Sequence, residues 1–122
     1  MTTAPLAGLR VLDFSELLPG PFMTQSLVEL GATVLKVERP PHGDNTRKLS
    51  VGLFNAVNRG KLSVVANLKD SADVVKVRDL VVQADVLVEA YRPGVMARLG
   101  LGWDDVRQLN PRPVYASLPG FG

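Results

Sequence analysis

Residues 8–38, GLRVLDFSELLPGPFMTQSLVELGATVLKVE, decide the fold of this chain. The two ends of this stretch, GLRVLDF and ATVLKVE, are apolar runs of the length expected for buried strands. Between them the apolar residues from Phe22 to Leu30 recur near helical spacing. Pro21 suits a first helical position, and Gly31 supplies a C-terminal stop. The stretch therefore predicts a strand, a helix and a second strand.

The same alternation continues along the chain. LSVVANL, ADVLVEA and PVYASL read as further strands, while GVMARLG and DDVRQLN read as short helices. A longer helix is expected from Asp70 or Ser71 to about Ala84. LFNAVNRGK has weak helical spacing and stays ambiguous. The pattern predicts an α/β fold, a mostly parallel sheet with helices on both faces, in a single domain over residues 1–122.

Composition limits the possible functions. The chain has 122 residues, 46% of them hydrophobic, which suffices for one domain with a core. The absence of cysteine excludes a disulfide scaffold, a thiolate metal site and a cysteine nucleophile, and it agrees with a cytoplasmic location. MTTAPLAGLR lacks the features of an export signal, and no apolar run has the length of a membrane span. We expect a soluble protein with no membrane partner.

Several familiar sites are disfavoured by the sequence. In a nicotinamide dinucleotide site, Glu38 would bind the ribose. However, the loop SELLPGPF has one glycine where such sites have three. Pro21 also lacks the N–H group that would face the pyrophosphate. A hydrolase triad has no support, because the only histidine, His42, lies in a loop rich in Pro and Gly. We expect no metal, and we interpret three acids as turn formers or helix N-terminal residues: Asp44, Asp104 and Asp105.

The charges are unevenly distributed. The net charge of +2 is too small to indicate a nucleic-acid partner. One segment, residues 36–69, has a local excess of +5, with basic residues Lys36, Arg39, Arg47, Lys48, Arg59, Lys61 and Lys69. The segment predicts an anionic ligand, although a solvated loop would have the same composition.

The YRPG turn follows a predicted strand and contains Tyr91 and Arg92. These residues offer a ligand a stacking ring and a positive charge, or they form a plain turn with no ligand. Together the two features favour a ligand with a ring and phosphates.

The order of several motifs resembles a known family. These motifs are GLRVLDF, GPF, LGATVLKVERP with GD, NRGK, ADVLVEAYRPGVMARLGLG and LNPRPVYASLPGFG. They are similar to the amino-terminal part of the class III CoA-transferases, which include formyl-CoA transferase, carnitine CoA-transferase and alpha-methylacyl-CoA racemase. The resemblance covers almost the whole chain and about the first third of a typical member.

The resemblance implies a Rossmann-like CoA-binding domain, truncated relative to the family, whose full-length members form interlocked dimers. CoA or acyl-CoA would be a substrate. Arg39 in KVERP would lie near the adenosine 3′-phosphate, and the other implied CoA-binding residues are Lys61, Lys69, Tyr91, Arg92 and Arg98. Leu18 and Ala90 replace Gln and Asn of some transferases, which leaves the acyl group open.

The resemblance also implies where the chemistry lies. In the transferases an aspartate attacks the thioester, giving an enzyme anhydride and then an enzyme–CoA thioester. This aspartate, and the His and Asp of the racemases, would lie beyond the segment that matches VYASLPGFG. We therefore expect no catalytic residue in this chain. A fragment of a racemase-like enzyme and a non-catalytic CoA-binding or assembly module are the alternatives. We expect a homo-oligomer, or association with a complementary chain.

Overall fold

The computed structural model describes residues 3–120, so the last two residues of the LNPRPVYASLPGFG motif lie outside it. Strands and helices alternate as the sequence predicts. In chain order they are β1 Arg10–Asp13, α1 Pro19–Glu29, β2 Thr33–Glu38, α2 Thr46–Leu49, α3 Val51–Asn58, β3 Leu62–Val65, α4 Ser71–Gln83, β4 Val86–Glu89, α5 Val95–Arg98, α6 Trp103–Leu109 and β5 Val114–Ser117. Among these helices, none combines the length and apolarity that a membrane span requires.

The five strands form one parallel sheet in the order β3-β2-β1-β4-β5. Leu12 in the central strand β1 lies opposite Leu35 of β2 and Leu87 of β4. From β1 the chain moves outward to β2 and β3, then returns to the other side of β1 as β4. The predicted α/β fold is confirmed. The reversal of strand order next to β1 creates the crevice in which such sheets bind ligands.

Successive strand residues point to opposite faces and build two apolar layers. Val11, Val34 and Val88 pack with side chains of α1 on one face. Leu12 and Leu87 pack on the other face with side chains of α4, α5 and α6. Both faces are therefore covered by helices, as the continuous apolar runs of the strands predict.

The region between β1 and β3 differs in detail from the sequence prediction. α1 begins at Pro19, two residues before the predicted Pro21. Both prolines are tolerated there, because the first N–H groups of a helix have no acceptor within the helix. The ambiguous LFNAVNRGK segment is largely the helix Val51–Asn58, capped by Ser50. The single turn Thr46–Leu49 was not predicted, since four residues are too short for a periodic pattern.

Two side chains join the last elements to the rest of the domain. The Trp103 ring, at the start of α6, packs edge-to-face on Tyr115 of β5, with the ring centroids 6.0 Å apart. Trp103 therefore packs α6 against the edge strand of the sheet. The Asn110 amide donates hydrogen bonds to the Val81 and Ala84 carbonyls, at 3.1 and 3.0 Å. These bonds tie the end of α6 to the end of α4.

Candidate ligand-binding site

A groove of about 430 Å³ opens beyond the carboxyl ends of β2, β3 and β4. Arg39 follows β2, Lys69 follows β3 and Tyr91 follows β4, and all three line this groove. Val95 and Leu99, within and just after α5, form its apolar wall. The groove therefore lies at the edge of the sheet where α/β folds bind ligands.

A second hollow of about 550 Å³ continues from the first. Lys69 and Leu99 line both hollows, and the second extends along α4 to Arg78 and across to Arg98. We call the two together the carboxyl-end groove. Because the two halves share Lys69 and Leu99, they adjoin each other, and together they offer room for a ligand that extends from one half into the other.

The carboxyl-end groove is basic. Its lining includes the four cationic side chains of Arg39, Lys69, Arg78 and Arg98, and within residues 3–120 no Asp or Glu lines it. Clefts lined by one sign of charge concentrate ligands of the opposite sign. The groove is therefore suited to a ligand with several negative charges.

Gly94 helps to define the position of Arg98. This glycine precedes α5 with φ of 86°, in the left-handed region that favours glycine. A Cβ added at Gly94 would lie 3.2 Å from Nη1 of Arg98, so the guanidinium folds back over the YRPG turn. Replacement of Gly94 would displace a cation of the groove.

Tyr91 supplies the only aromatic ring among the described residues that line the groove. Its backbone N–H donates a hydrogen bond of 3.1 Å to Glu89, which fixes the start of the turn. Burial raises the pKa of the Tyr91 phenol, and the nearby positive charge of Arg39 opposes this rise. The phenol is therefore neutral at physiological pH, and its ring offers a face for stacking.

Arg39 is half exposed and paired with one acid. Its Nη2 lies 3.1 Å from both carboxylate oxygens of Glu16, and the two side chains are 48% and 20% exposed. Glu16 lies in the loop between β1 and α1, and Arg39 directly follows β2. β1 and β2 are neighbours, so the parallel sheet brings these two distant residues together at one edge.

Lys61 occupies a different environment from the other five residues named from the sequence. Its side chain is 2% exposed, and its ammonium lies 3.2 Å from Asp13. It also donates to the Pro21 carbonyl at 3.1 Å and the Asn58 amide oxygen at 2.8 Å. Burial lowers the pKa of Lys61, and the Asp13 carboxylate opposes this. The structure thus brings Arg39, Lys69, Tyr91 and Arg98 together and separates Lys61 from them.

A second buried pair lies beside the first. The Lys36 ammonium is 2.7 Å from Asp44 and donates to the Ser15 carbonyl at 2.7 Å, with side chains only 2% and 1% exposed for Lys36 and Asp44. We call the group Asp13, Lys36, Asp44 and Lys61 the buried ion-pair layer. It joins the carboxyl ends of β1 and β2 to the loop that precedes α1 and to the loop after Arg39.

Glu38 connects the last residue of β2 to that same loop. Its carboxylate accepts two hydrogen bonds from the Arg47 guanidinium, at 2.7 and 2.8 Å, one of 2.8 Å from the Asp44 N–H, and one from the Ser63 hydroxyl. Burial alone would raise the pKa of Glu38, but these bonds outweigh burial and lower the pKa from 4.5 to about 2. Glu38 is therefore a structural carboxylate.

Arg92 and Arg78 differ in their position relative to the groove. Arg92 is exposed in the YRPG turn, and within residues 3–120 it is not among the side chains that line the groove. Arg78, which sequence reasoning missed, does line it. The signal for Arg78 was present: Ser71, Val74 and Arg78 follow helical spacing on one side of α4, and all three line the second hollow.

An apolar hollow of about 150 Å³ lies elsewhere, against β1, β2 and α4. Leu35, Leu62 and Leu80 contribute to its lining, and Arg10 is its only charged lining residue within the described part of the chain. A cavity with so little charge cannot balance a polyanion. The carboxyl-end groove is therefore the better candidate site.

The sequence matches the family model for CoA-transferase family III over residues 6–122. This match covers nearly the whole chain. The chain belongs to CoA-transferase family III. The resemblance recognised from the motif order is thus confirmed, and the family uses CoA thioesters as substrates.

Several curated proteins are similar to this family III chain. It is 48% identical over 97% of its length to acetyl-CoA:oxalate CoA-transferase of Acetobacter aceti, of which it covers 32%. It is 42% identical over 97% of its length to succinyl-CoA:glutarate CoA-transferase of Mus musculus, of which it covers 29%. The chain spans about a third of the length of the curated relatives it matches.

Solved structures give the same result for the fold of this CoA-transferase family III chain. A hypothetical protein from Mycobacterium tuberculosis superimposes with a TM-score of 0.94 and 44% identity, over 98% of this chain and 35% of that one. A CAIB/BAIF family protein from Brucella suis gives a TM-score of 0.94 and 36% identity, over 99% and 35%. The sheet and its helices are therefore those of the family.

Proposed function

We propose that this chain binds the CoA moiety of an acyl-CoA thioester in the carboxyl-end groove, as the CoA-binding part of an acyl-CoA:carboxylate CoA-transferase. The observation that carries the proposal is the convergence of four cations and one tyrosine ring in that groove. CoA has a 3′-phosphate, a pyrophosphate and an adenine ring, so it requires several positive charges and a stacking surface.

The proposed assignment follows the two halves of the groove. Arg39 and Lys69 line the half that also contains Tyr91. We assign Arg39 to the 3′-phosphate, with Lys69 as a second cation and Tyr91 as the ring that contacts adenine. Arg78 and Arg98 line the other half and are assigned to the pyrophosphate. A guanidinium can donate two parallel hydrogen bonds to a phosphate, which favours arginine at these positions.

The proposal divides the reaction between binding and covalent chemistry. Transfer through an enzyme anhydride requires a nucleophilic carboxylate, which attacks the thioester carbonyl and releases the CoA thiolate. The thiolate then attacks the enzyme-side carbonyl of the anhydride, which gives an enzyme–CoA thioester and releases the donor acid as a carboxylate. No carboxylate lines the groove within residues 3–120, and Glu16 is engaged by Arg39. We therefore assign CoA binding, and no catalytic step, to this chain. Within the groove its residues hold and orient CoA.

The names of the relatives suggest the first acids to test as acceptors. The relatives from Acetobacter aceti and Mus musculus are named for oxalate and glutarate, both dicarboxylates. We propose a small dicarboxylate as acceptor in the complete enzyme. Thioester exchange with oxalate and glutarate, set against the monocarboxylate acetate, tests this directly. Exchange with acetate alone would contradict it.

Calorimetric titration with CoA and with dephospho-CoA tests the proposed binding function. Dephospho-CoA lacks only the 3′-phosphate, so the ratio of the two affinities measures recognition of that group. We expect CoA to bind about tenfold more tightly, which corresponds to about 1.4 kcal/mol. Arg39→Gln should abolish most of this preference.

Lys48→Gln provides the matched control for the titration. Lys48 belongs to the same basic segment and is exposed, but it is not among the groove-lining residues of the described chain. Lys48→Gln should retain the CoA preference of the unaltered protein. Equal affinity for both nucleotides, or an equal loss in the two variants, would contradict the proposed function.

We also propose that the chain associates with a second chain. Leu17, Leu18 and Phe22 around the start of α1 are 47%, 49% and 61% exposed, and Leu17 has φ of 68°, which is unusual for a residue with a side chain. Apolar clusters of this kind favour protein interfaces. Sedimentation should give a dimer or larger species, and Leu17→Ser with Leu18→Ser should shift it toward monomer. A monomer at all concentrations would contradict the proposal.

A further inference from the structure

We propose that Glu16 is a specificity-determining residue: it competes with the 3′-phosphate of CoA for the guanidinium of Arg39. The inference rests on the proposed CoA-binding function and extends it to a residue that the motif resemblance did not assign. Its physical basis is that a carboxylate and a phosphate dianion cannot share one guanidinium without strong repulsion.

The position of Glu16 makes the competition direct. One guanidinium nitrogen, Nη2, contacts both oxygens of the carboxylate, each at 3.1 Å. A guanidinium has five N–H groups and can contact a planar acid through two nitrogens, so this pair uses only part of its capacity. A phosphate that uses the remaining N–H groups of Arg39 would therefore lie beside the Glu16 carboxylate, which repels it.

The pair is also weak enough to be broken by a ligand. The Arg39 side chain is 48% exposed and that of Glu16 is 20% exposed. Exposed pairs of this kind contribute little to stability, because water screens both charges. A dianion held by further cations can therefore displace Glu16, whereas a neutral ribose hydroxyl cannot.

The charge balance of the groove gives the competition its selectivity. With Glu16 in place, the Arg39 corner is close to neutral, while Lys69, Arg78 and Arg98 remain without an acid in the groove lining of the described residues. Burial raises the pKa of the Tyr91 phenol, Arg39 lowers it and Glu16 raises it further, so the pair and the ring lie within electrostatic range of each other. The acid therefore acts on the part of the groove that is assigned to the adenosine end.

Glu16 thus keeps CoA binding reversible and discriminating. For an anion with a single charge, the attraction to Arg39 is too small to offset the repulsion from Glu16. For a phosphate dianion the attraction to Arg39 is large enough, but displacement of Glu16 reduces the net binding free energy. An enzyme that exchanges one CoA thioester for another needs such reversible binding.

The experiment uses Glu16→Gln, Arg39→Gln and the double variant of the full chain, titrated with CoA and dephospho-CoA. Removal of the negative charge should tighten CoA about tenfold, from the Coulomb interaction of charges a few ångströms apart near a surface. Dephospho-CoA should change less than about twofold, since it has no 3′-phosphate to be repelled. In the Arg39→Gln background, Glu16→Gln should change the CoA affinity by less than about twofold.

Glu29→Gln is the matched control for charge. Glu29 is exposed at the carboxyl end of α1, which is the end opposite the Glu16 loop. Its replacement by Gln changes the net charge of the protein by the same amount as Glu16→Gln. It should leave both affinities unchanged. Circular dichroism checks that each variant is folded, which is expected because Glu16 is partly exposed and its side chain contacts Arg39 at the surface.

The possible results separate the inference from the proposed function. Unchanged or weaker CoA binding in Glu16→Gln, with the CoA preference of the unaltered protein intact, overturns the role of Glu16 alone. Weaker binding in particular would identify Glu16 as a residue that positions Arg39. Equal affinity of the unaltered protein and every variant for the two nucleotides overturns the proposed function and this inference together.

Discussion

The buried ion-pair layer and the carboxyl-end groove take basic side chains from the same segment of sequence, residues 36–69, yet they use them in opposite ways. In the buried layer, Lys36 and Lys61 are each 2% exposed and paired with Asp44 and Asp13. In the groove, Lys69 is exposed and lines an open hollow. The first set holds two loops onto the sheet, and the second remains available to a ligand.

The difference teaches that a local excess of charge does not by itself identify a binding surface. Residues 36–69 have a charge excess of +5, but Lys36, Arg47 and Lys61 are engaged by carboxylates of the same domain. Burial of a charge requires a partner, because an unpaired buried charge is unfavourable by several kcal/mol. An exposed cation has no such requirement: Lys69 lines the groove in contact with water, and Arg39 is held only by a solvent-screened pair with Glu16.

Lys61 and Lys69 give the largest expected contrast. Lys61→Met removes one partner of a buried pair and leaves Asp13 without its cation, so the free energy of unfolding should fall by about 3 kcal/mol. Lys69→Met removes an exposed charge and should change that free energy by less than about 0.5 kcal/mol. Urea denaturation followed by circular dichroism measures both values.

CoA titration completes this comparison. Lys69→Met should weaken CoA binding, while the folded fraction of Lys61→Met should bind CoA like the unaltered protein. A stable Lys61→Met variant that loses CoA affinity would instead restore Lys61 to the binding site, as the sequence alone suggested.

The Glu38 carboxylate, which lies beside the buried ion-pair layer, should make the stability of the fold sensitive to acid. Its pKa is lowered in the fold to about 2 from 4.5. A lowered pKa stabilises the fold above the unfolded value, so this contribution is present above about pH 4.5 and is lost as the pH falls toward about 2. The loss should be on the order of 2 kcal/mol.

Glu38→Gln isolates that contribution. The variant cannot ionise at this position, so its free energy of unfolding should depend less on pH between about pH 5 and about pH 3. Urea denaturation at several pH values gives the two slopes. Parallel slopes for the variant and the unaltered protein would show that the Arg47, Ser63 and Asp44 contacts do not stabilise the charged form.

Replacement of Arg98 tests the proposed role of the carboxyl-end groove in CoA binding. Arg98→Gln removes one charge-assisted interaction with a phosphate and should weaken CoA binding about tenfold, with little change in stability. Arg107→Gln is the matched control, because Arg107 is 57% exposed, pairs with the exposed Asp104 on its own helix and is not among the described residues that line the groove. Equal effects of the two variants on CoA affinity would remove Arg98 from the site.

Arg92 gives the smallest expected effect. It is exposed in the YRPG turn outside the groove lining of the described residues, so Arg92→Gln should change CoA affinity by less than about twofold, as for exposed charges that a ligand does not contact. Calorimetry with CoA measures this against Arg98→Gln. A loss as large as that of Arg98→Gln would mean that bound CoA extends across the turn.

The position of three groove-lining residues could be predicted from the sequence, because each of them follows a predicted strand. Arg39 follows β2, Lys69 follows β3 and Tyr91 follows β4, and the carboxyl ends of parallel strands meet at one edge of the sheet. Arg78 was missed because it is remote in sequence from the motifs and reaches the groove only through the orientation of α4. The Glu16–Arg39 pair spans 23 positions in the sequence and depends on the register of β1 and β2.

The sequence by itself determined the α/β alternation, the two apolar faces of the sheet and the family of the chain. These are properties of short periodic patterns and motif order, which do not require knowledge of distant neighbours. Only the tertiary structure decided which cations are buried and which are open. That choice depends on where a carboxylate such as Asp13 lies in space relative to Lys61, 48 positions away, and burial strengthens a charge interaction that water would otherwise screen.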